Sequence, residues 1–266
     1  MINSPLIQIN QVSKTFKFQK KSYSIFKNIN ININKGDFIT ILGQSGVGKS
    51  TLLRCIGGFE QIDSGSIIVN NKKIYHPNKD ISMVFQSFEQ IFPWKTVYEN
   101  IAYPLEIQNI SLPKSEIQDI VYFYLNMIGL RKFHNYYPHQ LSGGMKQRVA
   151  LARSLIQKPS ILLMDEPFAS LDADTRLQLR KQILEIWYQS HNELTILFVT
   201  HSIIEAISMA TKFIILKNNN KVIEISNDIV GELGVLKDPT NSGFDECWNK
   251  LNNLIRRNDD HYSGNL

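Results

Sequence analysis

Eight consecutive residues in the first quarter of the chain have the types and the spacing that bind phosphate groups. The segment Gly43-Gln44-Ser45-Gly46-Val47-Gly48-Lys49-Ser50 fits the pattern G-x-x-x-x-G-K-[ST]. Its glycines allow successive backbone N–H groups to converge on phosphate oxygens. Lys49 can reach the β- and γ-phosphates of a nucleotide, and the Ser50 hydroxyl can bind Mg²⁺. A dinucleotide fingerprint is excluded by its own spacing, because its third glycine would fall at Thr51.

Two neighbouring acids supply a second chemical group. Asp165 and Glu166 directly follow the apolar residues 161–164, and such a run is typical of a strand buried on both faces. Ligands of open α/β sheets bind beyond the carboxyl ends of these strands. Asp165 would hold Mg²⁺ through the water shell of the metal, and Glu166 would act as general base on an attacking water. An isolated Asp-Glu pair could also be a solvated strand end, but the phosphate-binding loop favours catalysis.

The elements that must position these groups alternate between strand and helix. The glycine-rich turn joins a predicted buried strand to a helix that begins near Lys49. The strand before that turn is 38–42, and the other predicted buried strands are 161–164 and 195–200. The half-buried strands are 7–12 and 29–33 with a loop at 18–24 between them, and a hairpin joins 213–216 to 222–225. Helices are predicted at 173–191 and from Ser202, where Glu205 would complete a capping box.

A helical pattern interrupts this α/β arrangement over about residues 90–157. Thr96 and Glu99 can form a capping box, and residues 115–129 carry apolar side chains at helical spacing. Residues 142–155 predict a further helix. The insert therefore divides the α/β domain in sequence.

The domain organisation follows from these patterns. We predict one ATPase domain over residues 1–226 that includes the helical insert, followed by a C-terminal segment at 227–266. Beyond about Asn249 the sequence is polar, which predicts a partly disordered tail.

Composition excludes several other classes of protein. The chain has 266 residues, 43% of them hydrophobic, which suits a large α/β domain. The sequence contains no run of about 18 apolar residues, which a membrane span would need. Residues 1–12 lack the pattern of a secretory signal. The net charge is +5, with both signs mixed along the chain, so no nucleic-acid patch is expected. Cys55 and Cys247 are expected to be free thiols.

Four further segments fall in the order typical of ABC (ATP-binding cassette) ATPases, and the chain resembles that family. They are Val84-Phe85-Gln86, Leu141-Ser142-Gly143-Gly144-Met145, Ala169-Ser170-Leu171-Asp172 and Val199-Thr200-His201. The second is similar to the LSGGQ signature, with Met145 in place of the commoner glutamine. Together with the two acids and the phosphate-binding loop, these matches cover most of the chain.

The resemblance implies a role for each segment. Gln86 would contact Mg²⁺ and the attacking water, and His201 would contact the γ-phosphate. The signature would face the γ-phosphate of the ATP bound to the partner subunit. The D-loop, residues Ser170, Leu171 and Asp172, would lie across the dimer interface. Phe16 would stack on the adenine, with Phe18 and Tyr23 as weaker candidates.

Motifs and resemblance together assign the site residues, with ATP and Mg²⁺ as cofactors. The catalytic residues are Lys49, Gln86, Glu166 and His201. The metal-binding residues are Ser50, Gln86 and Asp165. The ATP-binding residues are Phe16, Gly43, Gln44, Ser45, Gly46, Val47, Gly48, Lys49, Ser50 and Thr51. The signature residues that would contact the partner's ATP are Leu141, Ser142, Gly143, Gly144 and Met145.

The segment Phe92-Pro93-Trp94-Lys95-Thr96-Val97 is similar to ATPases of nitrate, sulfonate, taurine and thiamine-precursor importers. In them it helps line the groove for the coupling helix of a membrane subunit. Trp94 could instead be a core anchor of the insert, since Trp is mostly buried. Two features depart from this group: Asn218-Asn219-Asn220 replaces a basic, proline-containing turn, and the C-terminal segment matches no pattern of the group.

The resemblance implies an α/β P-loop NTPase lobe of ABC type, with an antiparallel β subdomain and an inserted α-helical subdomain. It implies an ATP-sandwich homodimer, integral membrane permease subunits and, indirectly, a solute-binding protein, at the cytoplasmic face of the membrane.

Three alternatives remain beside this reading. An exporter or lipid-transport ATPase is disfavoured by Pro93-Trp94. A soluble ABC protein of DNA repair or translation is disfavoured by the chain length. A non-catalytic regulatory module is disfavoured by the presence of Lys49, Glu166 and His201.

Overall fold

The computed structural model describes residues 4–19, 21–86, 90–107, 112–218, 222–226 and 243–256. The strands are β1 (Ile7–Phe18), β2 (Lys21–Ile33), β3 (Phe38–Leu42), β4 (Ser64–Val69), β5 (Lys72–Lys73), β6 (Ile81–Val84), β7 (Ile161–Asp165), β8 (Thr195–Val199), β9 (Lys212–Leu216) and β10 (Val222–Ser226). The helices are α1 (Lys49–Ile56), α2 (Val97–Ile107), α3 (Lys114–Met127), α4 (Gly143–Leu155), α5 (Ala173–Gln189), α6 (Ile203–Met209) and α7 (Phe244–Arg256). Two short 3-10 helices, Arg131–Phe133 and Pro138–Gln140, lie between α3 and α4.

Six strands form the larger sheet, in the order β10-β9-β3-β8-β7-β6. The strands from β9 to β6 run parallel, and β10 pairs antiparallel with β9 at one edge. All residues of β3, β7 and β8 are buried, because a parallel sheet is covered on both faces. The predicted α/β class and the predicted hairpin are confirmed; Asn219 and Asn220 of its turn lie outside the described residues.

Two hydrophobic cores lie on the opposite faces of this sheet, since successive side chains of a strand alternate in direction. In β3, Phe38 and Leu42 belong to the core shared with α2 to α7. Ile39 and Ile41 belong to the core shared with α1 and the smaller sheet. The Phe38 ring also meets the ring of Trp187 edge-on, at a centroid distance of 5.4 Å. The strand that leads into the phosphate-binding loop is therefore fixed from both sides.

The smaller sheet is antiparallel, in the order β2-β1-β4-β5. The predicted loop over residues 18–24 is wrong, because β1 and β2 form one long hairpin that stays paired as far as Phe18 and Lys21. Its outer part is exposed on both faces, so no apolar alternation marks it in the sequence. The sequence analysis also made no prediction for β4, β5 and β6.

The helices α2, α3 and α4 occupy the predicted insert. The capping box is confirmed, since Thr96 N–H donates to Glu99 Oε2 at 2.7 Å and Glu99 N–H donates to Thr96 Oγ1 at 3.2 Å. α3 ends just before Gly129, whose φ of 66° is the left-handed conformation that commonly ends a helix.

The helix α7 corrects the prediction of a poorly ordered chain beyond about Asn249. The chain stays helical to Arg256. Its apolar side chains recur at helical spacing and pack on the helical core; they are Phe244, Cys247, Trp248, Leu251, Leu254 and Ile255. The remaining C-terminal residues, 227–242 and 257–266, lie outside the described residues, and so does most of the predicted tail.

Two further predictions, on membrane spans and on the cysteines, can be compared with the structure. Within the described ranges, no helix combines the length and apolar character needed to cross a membrane. The buried Cys55 is a free thiol, as predicted.

Candidate functional site

Four parallel strands of the larger sheet end at the same edge, and each delivers part of the site. The glycine-rich loop follows β3, and the glutamine Gln86 follows β6. Asp165 ends β7 with Glu166 directly after it, and His201 lies two residues beyond the end of β8. The carboxyl edge of a parallel sheet is where ligands of open α/β folds bind. The structure therefore brings together residues that are up to 158 positions apart in the sequence (43 to 201).

The loop after β3 needs glycine for two separate reasons. Gly43, Gly46 and Gly48 all have positive φ angles, of 148°, 80° and 101°, which other residues adopt only with strain. In addition, a Cβ at Gly48 would lie 2.4 Å from Ile25 Cγ2 of β2. The hairpin thus packs directly against the loop and leaves no room for a side chain at Gly48.

Lys49 begins α1 and folds back over the loop. Its Nζ donates to the carbonyl oxygens of Gly43 and Gln44 at 2.9 and 2.8 Å. Burial lowers the pKa of Lys49, and the nearby charges of Glu166 and Asp165 oppose that shift. A polyanion bound in the loop would stabilise the ammonium form in the same way. The positive end of the α1 dipole adds to this attraction.

Ser50 and Asp165 form the part of the site that can hold a metal. Ser50 Oγ donates to Asp165 Oδ1 at 2.7 Å, and the buried Asp165 Oδ2 accepts no hydrogen bond from any residue that the structure describes. Arg54 Nη2 lies 3.9 Å from Oδ2. Burial raises the pKa of Asp165, and the Ser50 hydrogen bond partly opposes this. A hydroxyl beside an under-satisfied carboxylate fits Mg²⁺, which prefers oxygen ligands.

The protein alone supplies only part of a metal shell. Among the described residues, no group of three or more His, Cys, Asp or Glu side chains is arranged to hold a metal. Mg²⁺ usually keeps several waters and binds through one or two protein ligands plus substrate phosphates. Ser50 and Asp165 thus fit a metal that arrives with a nucleotide.

Glu166 lies between two polar side chains from neighbouring strands. Its Oε2 accepts a hydrogen bond from Gln86 Nε2 at 3.2 Å and lies 3.7 Å from His201 Nδ1. Its backbone has a φ of 49°, an unusual conformation for a residue other than glycine. Its N–H donates to the carbonyl of Val199 at 3.0 Å, which ties it to the end of β8. A carboxylate held in this way can orient a water and accept its proton.

The signature residues lie at the N-terminus of α4. Ser142 is the N-cap and accepts a hydrogen bond from Met145 N–H at 3.2 Å. A Cβ at Gly144 would lie 3.0 Å from Leu171 Cδ2 of the D-loop. Among the described residues, no hydrogen bond or ion pair joins residues 141–145 to Lys49. The structure therefore places the start of the signature helix against the D-loop.

The adenine candidate Phe16 lies on the hairpin that packs against the loop. Its side chain is 39% exposed, and Lys14 Nζ lies 4.7 Å from its ring centroid. Tyr23 is its cross-strand partner. Thr51 lies in the first turn of α1. Phe16 is thus available to an aromatic ligand, with a cation already at its ring.

Trp94 is not a core anchor, because it is 70% exposed. It stacks on Phe92 with a centroid distance of 5.4 Å. The buried Asn100 holds the backbone beneath this pair, since its side chain accepts from Phe92 N–H and donates to the carbonyls of Phe92, Lys95 and Thr96. An exposed aromatic surface on a fixed loop is suited to contact another protein.

A pocket of about 290 Å³ opens beside Glu166 on the His201 side. Its lining residues are Glu166, Phe168, Ala169, Arg176, Thr200, His201, Ser202 and Glu205. The predicted capping box at Ser202 is only half formed: Glu205 N–H donates to Ser202 Oγ at 3.3 Å, but the Glu205 carboxylate accepts from Thr200 Oγ1 at 2.6 Å. No role was predicted for Arg176 from the sequence, because local sequence pattern does not indicate which residues it contacts in the folded chain.

Comparison with known proteins agrees with this geometry. The sequence pattern of the family described as ABC transporter matches residues 26–169. The aliphatic sulfonates import ATP-binding protein SsuB of Bacillus thuringiensis subsp. konkukian is 40% identical over 245 residues, which are 92% of this chain and 94% of that protein. The nitrate import ATP-binding protein NrtD of Synechococcus elongatus is 36% identical over 90% of this chain and 88% of that protein.

A solved structure agrees as well. The dimeric post-hydrolysis state of the ATP-binding cassette MJ0796, bound to ADP and Pi, superimposes with a TM-score of 0.76. The two chains share 32% sequence identity, over 83% of this chain and 98% of that one. The fold, the convergence of the motifs at one sheet edge and these matches lead to one conclusion: the chain belongs to the ABC transporter family, as an ATP-hydrolysing cassette.

Proposed function

We propose that this protein is the ATPase subunit of a membrane importer for small anionic solutes, of the nitrate, sulfonate and taurine type. The observation that carries the catalytic part is the position of Glu166, held by Gln86 at 3.2 Å beside the pair Ser50 and Asp165. Import is supported by relatives named as import ATP-binding proteins for aliphatic sulfonates and nitrate and, at 38% identity, as a bicarbonate transport ATP-binding protein.

In this proposal each residue at the sheet edge acts on one part of the nucleotide. The loop N–H groups and Lys49 bind the phosphates, while Ser50, Asp165 and Gln86 hold Mg²⁺, which neutralises phosphate charge when it is bound. Glu166 accepts the proton of the attacking water. His201, whose ring lies 3.7 Å from Glu166, contacts the γ-phosphate, and Phe16 stacks on the adenine.

The proposal includes a two-fold dimer with ATP between the chains. Gly144 lies against Leu171 of the D-loop, and in this dimer Ser142 and Gly144 contact the nucleotide that is bound by the second copy. The relative MJ0796 forms a dimer with ADP and Pi, which supports this arrangement. A two-fold axis makes both sites equivalent.

The membrane partner is proposed to bind at the stacked pair Phe92 and Trp94, of which Trp94 is exposed. We place the protein at the cytoplasmic face of the membrane, bound to integral permease subunits that receive solute from a solute-binding protein. We also propose that residues 1–226 form the ATPase domain, with the helical insert at about 90–157, and that 227–266 form a separate C-terminal segment. No nucleic acid is expected as a partner.

The ATPase assignment is tested by phosphate release from Mg-ATP by the purified chain. Lys49→Ala should abolish hydrolysis, because the γ-phosphate loses its main fixed cation. Lys35→Ala is the matched control: Lys35 is an exposed residue paired with Glu193, so its loss should leave turnover unchanged. Normal turnover by Lys49→Ala would overturn the assignment.

The import assignment is tested by uptake in cells that carry either the wild-type chain or Lys49→Ala. Radiolabelled alkanesulfonate, taurine and nitrate are supplied separately. Loss of uptake of one solute in the Lys49→Ala cells supports import of that solute. Increased accumulation of a solute in the same cells would indicate export and contradict the proposal.

A further inference from the structure

Arg176 lies in the first turn of α5 and joins two loops of the site. Its Nη2 donates to the carbonyl of Leu171 in the D-loop at 2.8 Å. Its buried Nε lies 3.9 Å from Glu205 Oε1 in α6 and makes no hydrogen bond within the described part of the chain. The guanidinium therefore bonds to one loop and faces the carboxylate that holds the other.

Glu205 connects this arginine to the turn that carries His201. The buried Glu205 carboxylate accepts from Thr200 Oγ1 at 2.6 Å. The same Thr200 oxygen accepts from Ser202 N–H at 3.1 Å. His201 lies between these two residues, so its backbone position is set on both sides by a network that ends at Arg176.

The other partner of Arg176 lies against the signature. Leu171 Cδ2 is 3.0 Å from the place where a Cβ would stand at Gly144, and Ser170 O is 3.5 Å from it. These atoms are so close that the D-loop cannot be displaced toward α4 without pushing on the first turn of that helix. Leu171 is itself buried.

We propose that Arg176 is a positioning residue that couples the two nucleotide sites of the dimer. This inference rests on the ATP-sandwich dimer of the proposed function. There His201 of one chain contacts the ATP bound by that chain, while Ser142 and Gly144 contact the other ATP. Arg176 ties the His201 turn to the loop beneath Gly144. The two parts of one chain that contact the two ATP molecules therefore keep a fixed position relative to each other. Its planar fork can serve both partners at once, which a lysine cannot do.

A purely structural role for Arg176 makes a different prediction. If Arg176 only compensated the charge of buried Glu205, its loss would weaken folding and nucleotide binding together. A coupling role instead weakens ATP-dependent dimerisation and leaves the affinity of the monomer for ATP unchanged, because no contact described for Arg176 reaches Lys49 or Ser50.

The experiment uses the full chain in the Glu166→Gln background, where bound ATP is not consumed. Dimerisation with Mg-ATP is measured by sedimentation over a range of protein concentrations. ATP affinity is measured separately, at protein concentrations below dimerisation. Arg176→Met should raise the dimer dissociation constant about tenfold, since a charge-assisted hydrogen bond is lost, with unchanged ATP affinity. Arg176→Lys keeps a charge near Glu205, so its dimer dissociation constant should lie between those of the parent and of Arg176→Met.

Arg180→Met is the matched control. Arg180 also lies near Glu205 and feels its charge, but in the described part of the chain no hydrogen bond joins it to the D-loop. It should dimerise like the parent. Parent-like dimerisation of Arg176→Met, an equal loss in Arg180→Met, or an equal loss of ATP affinity in Arg176→Met would each overturn the coupling role. A Glu166→Gln parent that stays monomeric with ATP would instead contradict the dimer itself.

Discussion

Ser50 Oγ donates a 2.7 Å hydrogen bond to Asp165 Oδ1 and so joins the start of α1 to the end of β7. The two groups that can hold Mg²⁺ are therefore in contact before any nucleotide binds. Among the described residues, the second oxygen of Asp165 is buried and has no hydrogen-bond partner, which is costly in a protein interior. This arrangement suggests that Asp165 is kept for function at the expense of stability.

The first prediction is that Asp165→Asn raises the melting temperature of the nucleotide-free protein. Burial raises the pKa of Asp165 in the folded chain, so the folded state binds this proton more tightly than the unfolded state. Stability from this group is therefore lost as the pH rises above its ordinary pKa, and at neutral pH the ionised form costs folding free energy. Each 1 kcal/mol recovered corresponds to a rise of about 2–4 °C for a large domain.

The same variant should lose the extra stabilisation that Mg-ATP gives to the wild type, because ligand binding to the folded state raises its stability. Calorimetry with and without Mg-ATP measures both effects. Asp119→Asn removes one negative charge from an exposed position of α3 and should change neither. A melting temperature of Asp165→Asn below that of the wild type would show that the carboxylate stabilises the fold.

The second prediction separates the two reasons for glycine in the phosphate-binding loop. Gly46 and Gly48 both have positive φ, but a Cβ at Gly46 would meet no atom within 4 Å, whereas one at Gly48 would lie 2.4 Å from Ile25 Cγ2. Gly46→Ala should cost only the conformational strain, about 1–2 kcal/mol. Gly48→Ala should cost clearly more and should also weaken ATP binding, because the hairpin must move.

Denaturant unfolding and ATP titration of both variants measure this difference. Equal losses of stability in Gly46→Ala and Gly48→Ala would mean that the contact with β2 is unimportant and that φ alone determines the residue.

The third prediction concerns Trp94, the exposed member of the stacked pair with Phe92. Trp94→Ala should reduce solute transport per ATP hydrolysed far more than it changes ATP affinity. Since the side chain is 70% exposed, the free energy of unfolding should change by about 0.5 kcal/mol or less. Transport and phosphate release are measured together in membrane vesicles that contain the complete transporter.

Phe123→Ala is the control for the third prediction, because Phe123 is another exposed aromatic residue, 63% accessible, in α3. It should leave coupling intact. An unchanged ratio of transport to hydrolysis in Trp94→Ala would place the membrane partner elsewhere on the surface.

Local sequence pattern was enough to single out the candidate site residues, but not the contacts between elements that hold them in place. The phosphate-binding loop and Asp165 are recognisable because each follows a short apolar strand, and local pattern is enough to place both at a strand end. The link from Arg176 to Glu205 joins residues of different helices, so only the tertiary structure shows it. Glu205 was predicted to cap its own helix, but the hydroxyl of Thr200 is closer in space and binds its carboxylate instead.

Two predictions were wrong because the elements concerned carry few apolar side chains. Residues 18–24 were predicted as a loop because they are polar, yet β1 and β2 pair there through backbone hydrogen bonds, which need no apolar side chains. The helix α7 was missed beyond Asn249 because its few apolar residues, such as Leu251, are separated by polar ones. Their helical spacing was the signal that could have identified it.

The last prediction is that Glu166→Gln traps a dimer when ATP is bound. The substitution removes the group that accepts a proton from water, while the amide oxygen of glutamine can still accept the hydrogen bond from Gln86. Asp165 and Ser50 are unchanged, so the metal site remains. Light scattering after size-exclusion chromatography should give twice the mass of one chain with Mg-ATP and the mass of one chain with ADP.

Glu185→Gln, which removes an exposed acid from α5, should hydrolyse ATP normally and form no lasting dimer. A Glu166→Gln protein that binds ATP at micromolar concentrations yet remains monomeric would contradict the ATP-sandwich dimer.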